Sequence, residues 1–318
     1  MNAFEPSRHP KARVAICIPT FRRGDLLRQL LAGIACLRFR RMPAPDLLIV
    51  VVDNDPSRSA AEICDTAALP WRAKYVVETR RGIAQARNRA IEEAEDPDFY
   101  AFIDDDEVPA PQWLDELLWI RACFESDVVC GPVLPRYASG VPDWVKSGGF
   151  FNREVYTNGD LLKTCRTGNV LVSRKVFAAI RSFDERFALT GGEDTHFFLR
   201  VRRAGFEMVG SGSGVVYETV PTSRATLRWL LRRAYQSGSS WVLCESLLDG
   251  RTSTRAVRAA KATGRILQGA LSACTSPVLG KAALAQALFN LFLGAGMMAA
   301  LAGRNFQAYQ SAGTDASK

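Results

Sequence analysis

The chain has 318 residues, 47% hydrophobic and 23% charged, which excludes a disordered or fibrous polypeptide and allows one large domain or a domain with an appendage. The formal net charge is +8, and its placement matters more than its size: nine Lys and Arg between Arg224 and Arg265 face only Glu245 and Asp249. Such a block suits anionic lipid or a phosphorylated small molecule, and with no nucleic-acid motif beside it a nucleic-acid partner is not expected.

Eight scattered cysteines form no C-x-x-C pair, and His9 and His196 are the only histidines. This argues against a disulfide framework, a zinc site or histidine-rich metal chemistry, and favours a reducing, cytoplasmic compartment. Residues 1–12 carry no apolar signal core and read as a disordered leader.

The predicted elements alternate. Residues 13–20, RVAICIPT, form a near-continuous apolar run of the kind a doubly covered parallel strand needs. A helical pattern follows through Leu26, Leu27, Leu30, Leu31 and Ile34. Residues 47–55 are a second buried strand ending in two carboxylates, 73–78 a third, and a helix opens at Gly82. The strand at Phe99–Ile103 runs into Asp104, Asp105, Asp106 and Glu107, after which Pro109 and Pro111 break the chain before a helix over about 112–124. This alternation predicts an open, mostly parallel α/β sheet flanked by helices, with ligands at the carboxyl ends of the strands.

The second half changes character. Residues 127–136 read as a strand, 135–165 as a long loop rich in Gly, Pro and aromatics, which at that length suggests function. Residues 168–174 return as a strand, a Gly191-Gly192 turn precedes a helix, and 214–220 is the last strand. From about Ser223 the pattern is helical, with interruptions near 264 and 277. Residues 282–302 are almost entirely apolar, about the length that crosses a bilayer; the alternative is a helix buried on the α/β domain or on a second subunit. The expected organisation is a leader (1–12), a domain over 13–222, a helical, membrane-associated region over 223–304 and a tail over 305–318.

Four acids at the end of a buried strand repel one another and lose hydration, so a divalent cation among them competes with a solvated acidic turn. Asp104 and Asp106 point the same way in extended backbone and could divide ribose and metal between them. Asp53 could accept from a nucleobase N–H or simply form an Asx-turn before Pro56. Arg87 lies on the packing face of its helix and needs a phosphate or a carboxylate of the same crevice. Glu193 and Asp194 open a helix, where acids act as caps; the other reading makes Asp194 a general base. His196 is a weak candidate for a metal ligand. The glycine-rich segment 210–214 precedes a strand rather than a helix, so a dinucleotide loop is excluded.

Taken together, ICIPTFRR, VVVDND, RGIAQARNRAI, FIDDDEVPAPQWL, GNVLVSRKVF and FDERFALTGGEDTHFFLRVRRAG resemble the inverting family 2 glycosyltransferases of the GT-A fold over roughly 12–220. The GGEDTHFF form and apolar C-terminus look most like bacterial exopolysaccharide enzymes of the succinoglycan type. The resemblance implies that Pro19, Thr20 and Asp53 hold the nucleotide base, normally uracil, that Arg87 contacts the nucleotide, and that Asp104 lies on the ribose side. Asp106, with Asp104, would hold Mn²⁺ or Mg²⁺, and Asp105 would support the nucleotide-sugar side. Asp194 would be the catalytic base, with Glu193 beside it at the acceptor.

The expected reaction moves a sugar from a nucleotide-sugar, a UDP-sugar first, to a hydroxyl of a saccharide or lipid-linked oligosaccharide, at the inner face of a bacterial cell membrane. A sugar-phosphate nucleotidyltransferase or a non-catalytic, membrane-bound partner of a polysaccharide assembly complex are the alternatives. The segment PTFRRGD counts against the former, because a glycine-rich loop belongs there.

Overall fold

A computed structural model describes residues 11–188, 190–249 and 252–304. The leader and the tail expected at 1–12 and 305–318 lie almost wholly outside the described residues. The strands are β1 Arg13–Thr20, β2 Asp46–Asp53, β3 Arg72–Val77, β4 Phe99–Ile103, β5 Glu107–Pro109, β6 Val128–Cys130, β7 Val133–Tyr137, β8 Asn169–Ser173, β9 Met208–Gly210 and β10 Val216–Val220. The helices are α1 Gly24–Ala35, α2 Ala61–Thr66, α3 Ile83–Glu92, α4 Trp113–Phe124, α5 Asp143–Ser147, α6 Arg174–Ile180, α7 Glu193–Arg203, α8 Leu227–Leu248 and α9 Thr252–Leu301.

Seven strands form one sheet in the order β3-β2-β1-β4-β8-β6-β9, and β5-β10-β7 form a second. β1, β2, β3 and β4 are parallel; β8 runs against β4 and β6, and β9 lies parallel to β6. The mixed, mostly parallel sheet with flanking helices is the predicted fold class, followed by the predicted helical C-terminal region.

The continuous apolar runs are explained by burial on both faces. Val14, Ile16, Ile18, Ile49 and Val51 pack with Leu27, Leu30, Leu31 and Ile34 of α1 and with Trp113 and Leu117 of α4. The alternate residues Ala15, Cys17, Val50 and Val52 pack with Ala84, Ala86 and Ala90 of α3 and with Phe177, Phe183 and Phe197. The period of two thus divides one sheet between two cores.

The chain divides into two compact units. The first takes the residues up to Leu134, then Arg153–Glu185 and Phe197–Thr219, and holds both cores just described. The second takes Pro135–Asn152, Arg186–His196 and the chain from Val220 onward. Its own core joins Val141, Val145, Phe151, Val220, Ala225 and Leu230. The long segment at 135–165 is therefore shared between the two units in the chain, and it is partly regular: α5 and the aromatic pairs Trp144–Phe150 and Phe151–Trp229 order it.

Helix α9 passes through Gly264 and breaks instead at Gly280, which has φ 83°, a left-handed conformation that favours glycine. The two arms pack on each other through small residues. A side chain on Gly294 would meet the Ala262 carbonyl at 2.8 Å, and one on Gly269 the Ala287 carbonyl at 2.7 Å. α8 joins the same packing, Gly296 lying against the Tyr235 carbonyl and Gly238 against that of Leu293. Gly296→Ala is expected to push α8 and α9 apart and cost about 1–3 kcal/mol. A thermal midpoint unchanged by that substitution would contradict the close approach.

Candidate active site

Because β1, β2 and β4 are parallel, their carboxyl ends gather at one edge of the sheet. Thr20 and Asp53 are register partners at the ends of β1 and β2, and the acids follow the end of β4. The Thr20 hydroxyl donates to Asp105 Oδ2 at 2.9 Å. Arg23, at the start of α1, donates one N–H group to both Asp105 Oδ1 at 2.9 Å and Asp106 Oδ2 at 3.3 Å. Arg87 reaches from α3 to Asp104 Oδ1 at 2.9 Å. Glu107 turns back and accepts the Asp104 backbone N–H at 3.0 Å, and the Asp106 carbonyl accepts from Thr219 N–H at 2.9 Å. The acidic segment is a fixed turn whose charges are divided between two arginines, rather than a solvated one.

Burial decides the ionisation here. Asp105 is 4% exposed, and burial, reinforced by the charge of Asp106, pushes its carboxyl up to about 6 although Arg23 and Thr20 act in the opposite direction. Burial raises Glu107 well above the usual carboxylate range, with Asp104 and Asp106 adding to it and Arg153 opposing. Arg153 itself pairs with Glu218 at 2.6 Å. Gly168 is needed beside Glu107, because a Cβ there would collide with the carboxylate. Arg23 is 44% exposed at its side chain, so its two ion pairs are partly screened. Arg23→Gln is expected to lower stability by about 1–2 kcal/mol, since it leaves two nearly buried carboxylates facing each other. A thermal melt of that variant superimposing on the parent would refute the pairing.

Asp53 is fully buried. Its carboxylate accepts from Tyr75 hydroxyl at 2.9 Å, Ala60 N–H at 2.8 Å, Asp55 N–H at 3.1 Å and Ser59 hydroxyl at 3.4 Å. These bonds fill the roughly four lone-pair sites of a carboxylate, so the turn reading describes its geometry and a nucleobase N–H would have to displace a hydroxyl. Next to it, Arg22 pairs with Asp55 at 2.8 Å and holds that carboxyl well below its usual range. Asn54 ties the end of β2 to the segment between β3 and α3: its Nδ2 donates to the Glu78 and Arg80 carbonyls, and its Oδ1 accepts the Gly82 N–H that opens α3. Pro19 lies inside the β1–β2 pairing, opposite Val52.

Glu193 and Asp194 stand in the first turn of α7, with Asp194, Glu193 and His196 counted to the second unit. Asp194 Oδ1 accepts from Thr195 N–H at 2.6 Å and from Thr195 hydroxyl at 3.3 Å. Its Oδ2 has no hydrogen-bond partner among the described residues. The turn before it is anchored on α8: the Cys244 thiol donates to the Gly192 carbonyl at 3.1 Å, and Gln236 and Ser240 donate to the Thr190 carbonyl at 3.4 Å. Burial, with the charges of Asp194 and Glu193, pushes the Cys244 thiol above its usual range. Gly192 has φ 100°, a conformation that favours glycine, and a Cβ there would stand 3.1 Å from Ser240 Cβ and 3.2 Å from Cys244 Sγ. His196 is 3% exposed and lies against Phe187, ring centroids 4.9 Å apart.

Among the described residues no group of three or more His, Cys, Asp or Glu forms a ready metal cage. Mg²⁺ and Mn²⁺ at phosphate-transferring sites need only one or two carboxylates besides the substrate phosphates. Asp104, a third exposed, and Asp106 two residues on supply that oxygen set, so the residues fit such an ion.

The family described as glycosyl transferase family 2 matches residues 15–181. The chain belongs to that family. It is a glycosyltransferase, which sets aside the nucleotidyltransferase and non-catalytic alternatives. Over 234 residues it is 33% identical to the succinoglycan biosynthesis protein ExoM of Rhizobium meliloti (strain 1021), covering 71% of this chain and 72% of that protein. It is 23% identical over 246 residues to the chondroitin synthase of Escherichia coli, of which it spans 35%. In fold it is similar to the mannosyltransferase PcManGT of Pyrobaculum calidifontis, solved with GDP-Man and Mn²⁺, with a TM-score of 0.63 at 19% identity over 95% of this chain and 91% of that one. TarS of S. aureus, also solved with UDP, gives TM-scores of 0.51 and 0.50 at 15% identity, covering 93% of both chains. The GT-A fold of this family 2 enzyme agrees with the resemblance its motifs carry.

The sequence reading missed Arg23, Asn54 and the Arg153–Glu218 pair. Arg23 had a signal, because four acids at a strand end require nearby cations and PTFRR places two within three residues of Thr20. Arg153 carried none, since it enters from a long irregular segment.

Proposed function

We propose that the chain transfers a sugar from a nucleotide-sugar donor to a hydroxyl of a saccharide or lipid-linked saccharide, in one inverting displacement, during bacterial exopolysaccharide synthesis. The observation that carries this reading is the acidic segment at the end of β4, locked between Thr20, Arg23 and Arg87 at the edge where open α/β sheets bind ligands. The pathway rests on the likeness to ExoM. The donor class rests on family membership and on relatives solved with GDP-Man and UDP; a UDP-sugar is the first choice.

In this reading Pro19, Thr20 and Asp53 shape the base site, with Asp53 exchanging a hydroxyl partner for the base, and Arg87 and Asp104 orient the nucleoside. Asp105 braces the turn through Thr20 and Arg23. Asp104 and Asp106 would hold Mn²⁺ or Mg²⁺, which when bound offsets the charge on the departing diphosphate. Asp194, through its open Oδ2, removes the proton of the acceptor hydroxyl as that oxygen attacks, and Glu193 orients the acceptor. One displacement inverts the anomeric configuration. The site sits in a domain over 13–222, and the region over 223–304 associates with the inner face of the cell membrane, consistent with the basic block and, among the described residues, with one helix, Val278–Leu301, long and apolar enough to cross a bilayer.

Thermal shift with a panel of UDP-sugars, GDP-mannose and UTP, each with Mn²⁺ or with EDTA, tests the donor class. A nucleotide-sugar at about 100 times its Kd stabilises by about 2.7 kcal/mol. No shift with any nucleotide-sugar, or a shift with UTP alone, would overturn the reading.

A further inference from the structure

The first arm of α9, up to the Gly280 break, carries an apolar stripe that the second unit leaves uncovered. Val257, Leu267, Leu271 and Val278 are 52%, 57%, 72% and 90% exposed. Together with Ala260, Gly264 and Cys274, all exposed, they step by three and four residues and so lie on one helix face. Leu279, at 66% exposure, continues the stripe to the Gly280 break. Lys261 and Arg265, both exposed, run along its edge, and Lys281 follows the break. No Asp or Glu occurs between residues 252 and 304.

The second arm is engaged differently. Gly294 and Gly296 are closed against Ile266 and Tyr235, Phe289 packs on Phe150, and Gln286 donates to the Gly148 carbonyl. Its outward residues Leu284, Phe292 and Met298 are only about two-fifths exposed, at 42%, 40% and 41%. A bilayer crossing by this arm would strip it from α8, from the first arm and from the segment around Phe150.

We infer that the first arm of α9 lies in the plane of an anionic bilayer, with Val257, Leu267, Leu271, Val278 and Leu279 entering the acyl boundary and Lys261, Arg265 and Lys281 meeting lipid headgroups. An apolar face edged by Lys and Arg, with no acid on the element, has the composition of an interfacial helix. The absence of acids makes the face complementary to an anionic surface, and the apolar stripe between the basic residues suits the acyl boundary of anionic lipid. The inference rests on the membrane-surface reading above and specifies which residues make the contact; it leaves the second arm as a packed element of the second unit.

The experiment is flotation of the full chain with phosphatidylcholine vesicles, with and without phosphatidylglycerol, alongside sedimentation velocity and a thermal melt. The parent is expected to float with the anionic vesicles. Leu271→Glu with Val278→Glu is expected to weaken that binding by about tenfold or more, each exposed leucine or valine contributing apolar burial, with the melt unchanged. Lys261→Glu with Arg265→Glu is expected to remove the preference for anionic vesicles. Leu284→Glu with Phe292→Glu is expected to leave flotation as it was. Vesicle binding that survives Leu271→Glu with Val278→Glu, or is lost only in the second-arm variant, overturns the inference while the membrane reading stands. A parent that floats with no vesicle overturns both. Conversion of a dimer to a monomer by Leu271→Glu with Val278→Glu, with flotation unchanged, assigns the stripe to a second copy of the chain and overturns it as well.

Discussion

Asp194→Asn is expected to lower sugar transfer by about 10²–10⁴-fold, the range a positioned general base supplies, while donor affinity stays within about twofold of the parent. The reason is geometric. The amide keeps an oxygen for the Thr195 N–H that Asp194 Oδ1 now accepts, so the first turn of α7 keeps its shape, but the group can no longer take up a proton from the acceptor. The contacts that order the acidic turn after β4 come from Thr20, Arg23, Arg87 and Thr219, none of which the substitution touches. Titration of the donor into the variant, paired with a single-turnover assay, separates the two effects. Transfer near the parental rate would remove Asp194 from the role, and a donor affinity that collapsed with turnover would make it a structural residue.

Asp106→Ala is expected to have the complementary outcome. Donor binding in the presence of Mn²⁺ should weaken by about 10²-fold or more, corresponding to several kcal/mol of charge stabilisation, and the difference between Mn²⁺ and EDTA should vanish. The fold should survive, because Arg23 keeps its shorter bond to Asp105 and the Asp106 carbonyl, which anchors Thr219, remains. Calorimetric titration with and without EDTA reads both quantities. Binding that is equally tight in both buffers for parent and variant would contradict the assignment of Asp106 to a cation.

The contrast between strong and weak sequence signals has a physical basis. β1, β2 and β4 were legible because strands buried on both faces must be apolar throughout, and few other elements are. The antiparallel return of β8 between β4 and β6 was not, since its apolar pattern is indifferent to direction. β9 is three residues long, too short for periodicity to register, and β5 hides within the acidic segment because Glu107 is both a strand residue and a buried acid. In the C-terminal region composition pointed to residues 282–302, yet composition cannot tell a helix that meets lipid from one that meets other helices. The glycines that weaken that stretch as an isolated helix are the positions where α8 and the first arm of α9 approach its backbone.

The candidate site shows a similar division. Asp104, Asp106 and Arg87 were drawn together by the need to offset charge at a strand end, and the Arg87–Asp104 pair answers one of the two readings open for Arg87. Asp53 has the internal bonds of a turn, a distinction that depends on the following loop folding back through Ser59 and Ala60 and on Tyr75 reaching it from β3. Arg23 bridges positions 82 and 83 residues away; the need for a cation near the acids pointed to the PTFRR segment, but not to which of its two arginines makes the contact.

The proposed reaction is a single displacement at the anomeric carbon. Its most direct test is the anomeric configuration of the product, read from the proton coupling of the newly formed linkage by NMR after transfer from an α-linked UDP-sugar that stabilises the protein. A β-linked product is expected; an α-linked product would rule out a single displacement.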